Sequence, residues 1–359
     1  MFQSPLIGAT PYATPLADSF STPSLFESPL PTPDQASSIA SIQFTDNMVE
    51  LTHRARVDIP FFGLTWNPTG TGIIYAESTD AVLLDDVHKG FTPLTSLWYQ
   101  DLLTGNRTLV APNGRFPRWS PSGNQVLFIL WLGANQSHLV LADISTGKTS
   151  NLVENGVYAD WLSNDEIIVV GIDGEIARLN LYSRYEPFGA DLVASTSGPN
   201  SIVVSPDKQW LAIVNEAKLQ VFSFASNKMS TITAEDFTDI VGGLAWSPQS
   251  NRLAYVNNKS IHIADLSEQI TDRALGVEEQ IGFPSNLSWS PDGIFLLYQG
   301  FDGIWVIDVE SGARKLLYSN TQDQRAVVSS PSWAPSGNNV ILEKNGNVYM
   351  AAIVYDENQ

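Results

Sequence analysis

The chain has 359 residues with 38 acidic and 19 basic side chains, which gives a formal net charge of −19. A negative charge of this size repels phosphate backbones and anionic membrane surfaces, so it counts against nucleic acid as a partner. The absence of cysteine excludes disulfides, thiolate zinc sites and thiol catalysis. No stretch is apolar for long enough to form a transmembrane helix.

Residues 1–40 differ in composition from the rest of the chain. Seven of the 21 prolines lie between Pro5 and Pro33. Only three residues of this segment carry a charge, namely Asp18, Glu27 and Asp34. Such a segment cannot bury enough apolar surface to offset its ordering entropy, and it favours extended, polyproline-like conformations. We expect a flexible arm, acting either as a solvated linker or as a docking arm with anchors such as Phe20 and Phe26.

A pattern of the type Trp-Ser-Pro-Asp-Gly, as in Trp289–Gly293, recurs along the rest of the chain. Its proline sets φ for a tight turn, and its glycine supplies the positive-φ position. The first residue of each copy, called the marker below, is Trp66, Trp119, Trp161, Val204, Trp246, Trp289 or Trp333. The markers are 53, 42, 43, 42, 43 and 44 residues apart, and a period near 43 is typical of a propeller blade with four strands. The sequence therefore predicts an all-β fold over residues 41–359, a seven-bladed β-propeller of four-stranded antiparallel blades.

Two units depart from the regular pattern of strands A to D, with strand A ending at the marker. The first unit is about ten residues too long, and the surplus lies in Glu77–Ser96 between strands B and C. The last unit has too few residues after strand C, which is predicted over Asn347–Val354, to form a strand D. We expect the N-terminal run Met48–Arg56 to take that place and close the ring.

Units such as Trp289–Gly293, followed by the Ile-x-Val-x-Asp strand at Ile304–Asp308 and a Ser-Gly turn, resemble TolB-like propeller repeats. The same pattern occurs in the propeller of the prolyl oligopeptidase family, and the architecture is similar to that of WD-repeat propellers. The resemblance covers about Met48 to Tyr355 and implies a propeller with a scaffold or accessory role, often in the cell envelope. Seven units depart from the six blades of TolB. The Gly-x-Ser-x-Gly elbow of peptidase relatives and the Gly-His and Trp-Asp signatures of WD repeats are absent.

The residues just before the markers lie on the innermost strands. Among them, only Arg118 and Asp160 carry a charge. Because they fall on adjacent blades, we favour a structural ion pair over a ligand site, although both stay candidates for a channel site. The four histidines are too scattered to form a metal site, and we predict neither a metal nor a cofactor.

The loops between strands B and C and between strands D and A share one face of a propeller, and they carry clusters of acidic residues. These candidate binding residues are Asp80, Asp85, Asp86, Glu235, Asp236, Asp239, Glu278, Glu279 and Asp323. Such a face is either a solvated acidic surface or a docking face for a basic partner or a divalent cation. We expect charge reversal at Glu278 and Glu279 to weaken partner binding, and equivalent changes on the opposite face, such as Glu310→Lys, to affect partner binding little.

These features predict a non-enzymatic protein–protein interaction or scaffold module that binds its partners through the N-terminal arm and the acidic face. A peripheral subunit of a cell-envelope assembly fits the resemblance. No signal peptide is visible, because the first residues carry no Lys or Arg and no apolar run, so an extracytoplasmic and a cytoplasmic location both stay open. The alternative is an enzyme or a carbohydrate-binding protein with a site at the acidic mouth of the channel.

The change in composition near residue 40 predicts that the arm and the propeller are separable. Limited proteolysis should cut first within residues 1–45 and leave a resistant core, because a flexible backbone fits a protease cleft more readily than paired strands do. Mass spectrometry of the first fragments identifies the positions of the first cuts. First cuts inside the repeats would contradict the boundary.

Overall fold

The computed structural model describes the greater part of the chain. The described residues are 39–45, 48–51, 64–78, 95–133, 136–171, 174–181, 192–195, 199–215, 218–233, 243–257, 260–267, 269–275, 285–320, 328–345 and 347–355. Within these ranges the regular structure is all β except for one short 3-10 helix, Ile39–Ser41. The N-terminal arm lies almost entirely outside them, so its flexibility stays a prediction.

The strands form seven antiparallel sheets, and from β3 onward the paired strands of each sheet are neighbours in sequence. Two strands come before the first blade: β1 (Ile42–Phe44) and β2 (Val49–Glu50). Blade 1 contains, from the inner to the outer strand, β3 (Thr65–Trp66), β4 (Gly72–Ser78), β5 (Thr95–Asp101) and β6 (Arg107–Pro112). Blade 2 contains β7 (Gly114–Trp119), β8 (Gln125–Gly133), β9 (Gln136–Asp143) and β10 (Thr149–Glu154). Blade 3 contains β11 (Gly156–Trp161), β12 (Glu166–Gly171), β13 (Glu175–Asn180) and β14 (Leu192–Ser195).

The remaining blades repeat this order. Blade 4 contains β15 (Pro199–Val204), β16 (Trp210–Asn215), β17 (Lys218–Ser223) and β18 (Lys228–Thr233). Blade 5 contains β19 (Leu244–Trp246), β20 (Arg252–Asn257), β21 (Ser260–Asp265) and β22 (Thr271–Ala274). Blade 6 contains β23 (Ser285–Trp289), β24 (Phe295–Gly300), β25 (Gly303–Asp308) and β26 (Arg314–Ser319). Blade 7 contains β27 (Val328–Trp333), β28 (Asn339–Lys344) and β29 (Asn347–Tyr355), with β1 and β2 on the outer edge of β29. The prediction of seven four-stranded blades is confirmed.

The apolar core of the protein lies between the blades. Seven clusters of buried residues occur, and each one combines side chains from two neighbouring blades. The cluster between blades 2 and 3, for example, joins Leu127 and Ile129 to Trp161 and Ile167. Seven interfaces for seven blades mean that the ring is continuous, including the interface between blade 7 and blade 1.

The strand that closes the ring starts earlier than the sequence indicated. Ile42 pairs with Tyr355 and Phe44 with Ile353, whereas Val49 pairs with Met350. The predicted run Met48–Arg56 therefore contributes only its first residues, and its part beyond residue 51 lies outside the described residues. The alternation Ile-Gln-Phe in β1 was too short to stand out, although its burial pattern is that of a half-buried strand.

The closing segment contacts three blades and not only the one it completes. Ile42 and Phe44 are buried beside Leu297 of blade 6, in the cluster that blades 6 and 7 share. The backbone carbonyl of Leu51 accepts a hydrogen bond from Nε2 of Gln100 in blade 1 at 3.0 Å. Residues 39–51 therefore hold blades 6, 7 and 1 together.

We expect two N-terminal truncations to behave very differently. Removing residues 1–38 takes away no described contact, so the melting temperature should stay close to that of the full chain. Removing residues 1–47 also removes β1, which exposes the outer edge of β29 and empties the sites of two buried side chains. Each buried backbone group left without a partner costs about 1–3 kcal/mol, and losing a buried phenylalanine side chain costs about 3–5 kcal/mol.

The comparison is made by thermal melting and solubility of both truncated chains. The substitution Phe44→Ala provides a milder version in the full chain, with an expected fall in the melting temperature of several degrees. Equal melting of the two truncated chains would show that β1 does not close the ring.

Candidate functional site

The inner strands of neighbouring blades are connected by hydrogen bonds from the marker tryptophans. In four blades the indole Nε1–H donates to the backbone carbonyl of the residue that precedes the marker in the blade before. These bonds are Trp66 to Ser332 (2.9 Å), Trp161 to Arg118 (3.0 Å), Trp246 to Val203 (3.0 Å) and Trp289 to Ala245 (2.9 Å). The tryptophans are therefore structural residues that fix one inner strand against the next.

Asp160 replaces this bond where the marker is not a tryptophan. Blade 4 has Val204 as its marker, and the backbone N–H of Val204 donates to Oδ2 of Asp160 at 2.9 Å. Oδ1 of the same carboxylate accepts the N–H of Trp161 at 2.8 Å. Ser288 has a similar role in blade 6, because its Oγ accepts the N–H of Trp333 at 2.8 Å. Asp160, only 9% exposed, is thus a connector between blades 3 and 4.

The ion pair expected between Arg118 and Asp160 is not among the ion pairs of the described residues. Both carboxylate oxygens of Asp160 are taken by backbone N–H groups, and Arg118 donates only to the carbonyl of Pro117, at 3.4 Å. The expectation was wrong because adjacency in the repeat does not fix which way the side chains point. The guanidinium of Arg118 is left without a carboxylate in the described part of the protein.

The other candidate residues lie in connections outside the described residues. They are Asp80, Asp85, Asp86, Glu235, Asp236, Asp239, Glu278, Glu279 and Asp323. The strand order does confirm which connections these are: the insertion joins β4 to β5, and the others join an outer strand to the next inner strand. We call the end of the ring that carries these connections the loop face, and the end with the marker turns the turn face.

Blades 2 and 3 place aromatic and cationic side chains near the loop-face end of their inner strands. The rings of Phe116 and Tyr158, which occupy equivalent positions on adjacent blades, lie 6.0 Å apart. The guanidinium carbon of Arg115 lies 5.3 Å from the centre of the Trp131 ring, and burial lowers the pKa of Arg115. Leu132 at the end of β8 is exposed. Arg118 lies two residues beyond Phe116, directly before the marker Trp119 and therefore nearer the turn face.

Phe116 has an unusual backbone conformation. Its φ is 52°, in the left-handed region that bulky side chains rarely adopt. The equivalent residues of blades 6 and 7, Asn286 and Ser330, have similar φ values of 50° and 52°. These two bond to the same acceptor, Oε1 of Gln299, whereas the side chain of Phe116 is 36% exposed. Sequence patterns could not predict the positive φ of Phe116, because the bulge that produces it depends on the register between β7 and β8.

A second group of polar side chains lies on blade 5, and the sequence patterns did not predict it either. Nδ1 of His262 lies 3.1 Å from Oδ2 of Asp272, and the His262 ring stacks on Tyr255 with 5.1 Å between centroids. Burial acts to raise the pKa of Asp272, but hydrogen bonds from His262 and Tyr255 outweigh it and leave that pKa lowered. The three side chains come from strands B, C and D, so only a correct register would have grouped them.

Glu310 on the turn face is part of an ion-pair network, so its reversal would change stability as well as surface charge. Its carboxylate lies 2.6 Å from Arg252 and 3.8 Å from Arg273, both on blade 5. Because Glu310 belongs to blade 6, its reversal to lysine would weaken an interface between blades. Asp165, exposed in the marker turn of blade 3, is the better control.

Two kinds of feature, a metal-binding cluster and a membrane-spanning helix, are absent from the described residues. No three His, Asp or Glu side chains within the described ranges come together as a metal site would require. In the same ranges there is no helix that is long and apolar enough to cross a membrane.

Comparisons with known proteins support the fold. No protein-family model matches the chain. Dipeptidyl peptidase 4 of Sus scrofa is 28% identical over 173 residues, an alignment that covers 40% of this chain and only 22% of that protein. The β-propeller domain of Cps50 (Swd1) of Myceliophteria thermophila has a TM-score of 0.63 at 10% identity, and the match covers 87% of this chain and 100% of that domain. At this identity the likeness shows the fold alone, and that fold is a β-propeller.

The role of Asp160 as a connector makes a specific prediction. In Asp160→Asn the side-chain amide can accept only one of the two backbone N–H groups, so the other is left buried without an acceptor at a cost of about 1–3 kcal/mol. The melting temperature should fall by several degrees. Arg118→Gln, measured beside it, should melt like the natural chain, because Arg118 makes no strong bond to lose. Equal melting of both variants would contradict the connector role.

Proposed function

We propose that this protein is a non-enzymatic interaction module that binds a protein partner on its loop face. The observation that carries the proposal is Phe116, a residue with a positive φ that is 36% exposed and whose ring contacts Tyr158. Backbone strain persists only where the surrounding structure enforces it, and it concentrates at functional sites. An exposed aromatic ring on a rigid inner strand is also a typical anchor for a protein interface.

Other features of the loop face support this proposal. Leu132 is exposed at the end of β8, and Phe301 in the turn between β24 and β25 is 83% exposed. The connections on the same face contain the nine acidic residues identified in the sequence. An apolar centre with a charged rim is the usual composition of a protein interface, and the sign of the rim favours a basic partner.

The alternative of an enzyme at the channel mouth receives less support. A general base must reach the substrate, whereas Asp160 is only 9% exposed and its carboxylate is held by a backbone N–H group on each oxygen. The cluster of Tyr255, His262 and Asp272 spans strands B to D of blade 5, away from the inner strands that line the channel. The proposal also includes a location in the cell envelope, which fits the Pro-rich arm and the lack of cysteine.

The test is quantitative affinity capture with the tagged full chain, its Glu278→Lys/Glu279→Lys variant and the control Asp165→Lys. We expect the acidic double reversal to reduce capture of specific proteins by about tenfold, because each rim charge contributes electrostatic attraction. The loss should be larger at low ionic strength, where screening is weak. The control reverses an acid on the turn face and should capture the same proteins as the natural chain.

The readout is the ratio of each captured protein between variants, measured by mass spectrometry. Capture that survives the loop-face reversal and fails with Asp165→Lys would place the interface on the turn face. Unchanged capture by both variants would show that the acidic residues of the loop face do not contribute to binding.

A further inference from the structure

Phe301 is the most exposed large apolar residue in the described part of the chain. Its side chain is 83% exposed, whereas the next in order, Leu103, is 54% exposed. A single exposed apolar side chain is common on protein surfaces, so exposure alone does not mark a binding site. The backbone beneath Phe301 is what distinguishes it from the other exposed apolar residues.

The turn that carries this residue is a tight β-hairpin turn on the loop face, and hydrogen bonds hold it on two sides. Gly300 pairs with Gly303, so only two residues connect β24 to β25. Oδ1 of Asp302 accepts the Nε1–H of Trp305 at 2.8 Å, and the backbone carbonyl of Asp302 accepts the N–H of Asn320 at 2.7 Å. These bonds connect the turn to β25 and to the residue that follows β26.

Gly303 and the tryptophan beside the turn restrict it further. The φ of Gly303 is 151°, and a Cβ atom placed there would lie 1.8 Å from the backbone carbonyl oxygen of Tyr318. The backbone of β26 therefore packs directly against the turn. The ring of Trp305 stacks on that of Tyr298 with 6.4 Å between centroids, and Tyr298 is fully buried. The backbone of Phe301 is thus supported by a rigid part of blade 6.

An aromatic ring in this position contributes little to folding and is well suited to binding. Turns favour small and polar residues, and the ring of Phe301 is hardly buried in the folded chain. A side chain on a preorganised backbone loses little entropy when a partner covers it. Aromatic anchors that fill a pocket supply much of the binding energy of protein interfaces. Phe301 therefore fits an apolar pocket on the surface of a partner.

The charge of the chain indicates the kind of surface that surrounds such a pocket. The formal net charge is −19, and Asp302 lies directly after Phe301 in the turn. Opposite charges on two partners raise their rate of association, whereas like charges exclude wrong partners. The complementary partner is therefore a basic protein, and a second copy of this acidic chain is disfavoured.

We propose that Phe301 is the anchor through which the loop face binds its protein partner, and that its ring inserts into an apolar pocket of a basic protein. This inference rests on the proposed function, because it concerns a contact on the same face. It adds the residue that makes the contact, its position on blade 6, and the chemistry of the surface that receives it.

Site-specific photo-cross-linking tests the contact directly. The photoreactive residue p-benzoylphenylalanine replaces Phe301 in the tagged full chain, and in a control it replaces Leu103, which is exposed on the turn face. Both chains are irradiated in a lysate of the native cells, and mass spectrometry identifies the cross-linked peptides. Position 301 should give at least about tenfold more cross-linked product than position 103, because an anchor is covered by its partner. The cross-linked peptide should be an apolar segment of a basic protein.

Two substitutions separate the ring from the turn that presents it. Phe301→Ser removes the ring and keeps a residue that turns favour, so capture of the cross-linked protein should fall at least about tenfold. The melting temperature should stay the same, because little burial is lost. Trp305→Phe keeps an aromatic ring against Tyr298 and removes the N–H that holds Asp302. The loosened turn should lower capture by about threefold.

The outcomes distinguish this inference from the proposed function. Capture that survives Phe301→Ser and is lost with Glu278→Lys/Glu279→Lys overturns the anchor and keeps the interface on the loop face. Capture that is lost only with Asp165→Lys overturns both. Cross-linking at position 301 that does not exceed cross-linking at position 103, or that joins two copies of this chain, also overturns the anchor.

Discussion

The propeller depends on hydrogen bonds that link marker residues to the inner strand of the blade before, and six of the seven markers take part in one. Trp119 is the exception, because its buried Nε1–H has no acceptor among the described residues. Because these bonds join fixed positions on adjacent inner strands, the inner strands must keep their alignment. This constraint explains where the chain tolerates extra length. The first unit exceeds the others by about ten residues, and all of the surplus lies between β4 and β5, at the loop face and away from the marker.

In two blades a side chain one position before the preceding marker makes the connecting bond instead. Asp160 bonds to the backbone of Val204, and Ser288 bonds to that of Trp333. A buried carboxylate costs desolvation energy unless it is hydrogen-bonded, and here both of its oxygens find backbone donors. Asp160 thus supplies the connection to blade 4, whose marker is a valine and has no indole N–H to donate.

The repeat predicted the architecture well because each element of it has a local cause. Proline and glycine define the marker turns, and Gly70, Gly123, Gly293 and Gly337 indeed have positive φ. Sequence alone failed where the answer depends on register or side-chain direction. The closing strand β1 has only three residues, too few for a visible alternation, and the ion pair between Arg118 and Asp160 was inferred from adjacency without knowledge of where either side chain points. The positive φ of Phe116 comes from a bulge in β7, and no residue pattern in that strand predicts the bulge.

The turn face contributes to the stability of the ring, and the proposed function places recognition on the loop face. On the turn face, neighbouring blades are bonded to each other directly: the N–H of Ser122 donates to Asn164 at 2.9 Å, and the N–H of Asp207 donates to Ser250 at 2.9 Å. A change there disturbs two blades at once, as it would for Glu310. The loop-face connections join strands whose pairing is already fixed by the marker bonds below them. Length and charge can therefore vary in the loop-face connections at little cost to the ring, which supports the proposal of a binding surface on that face.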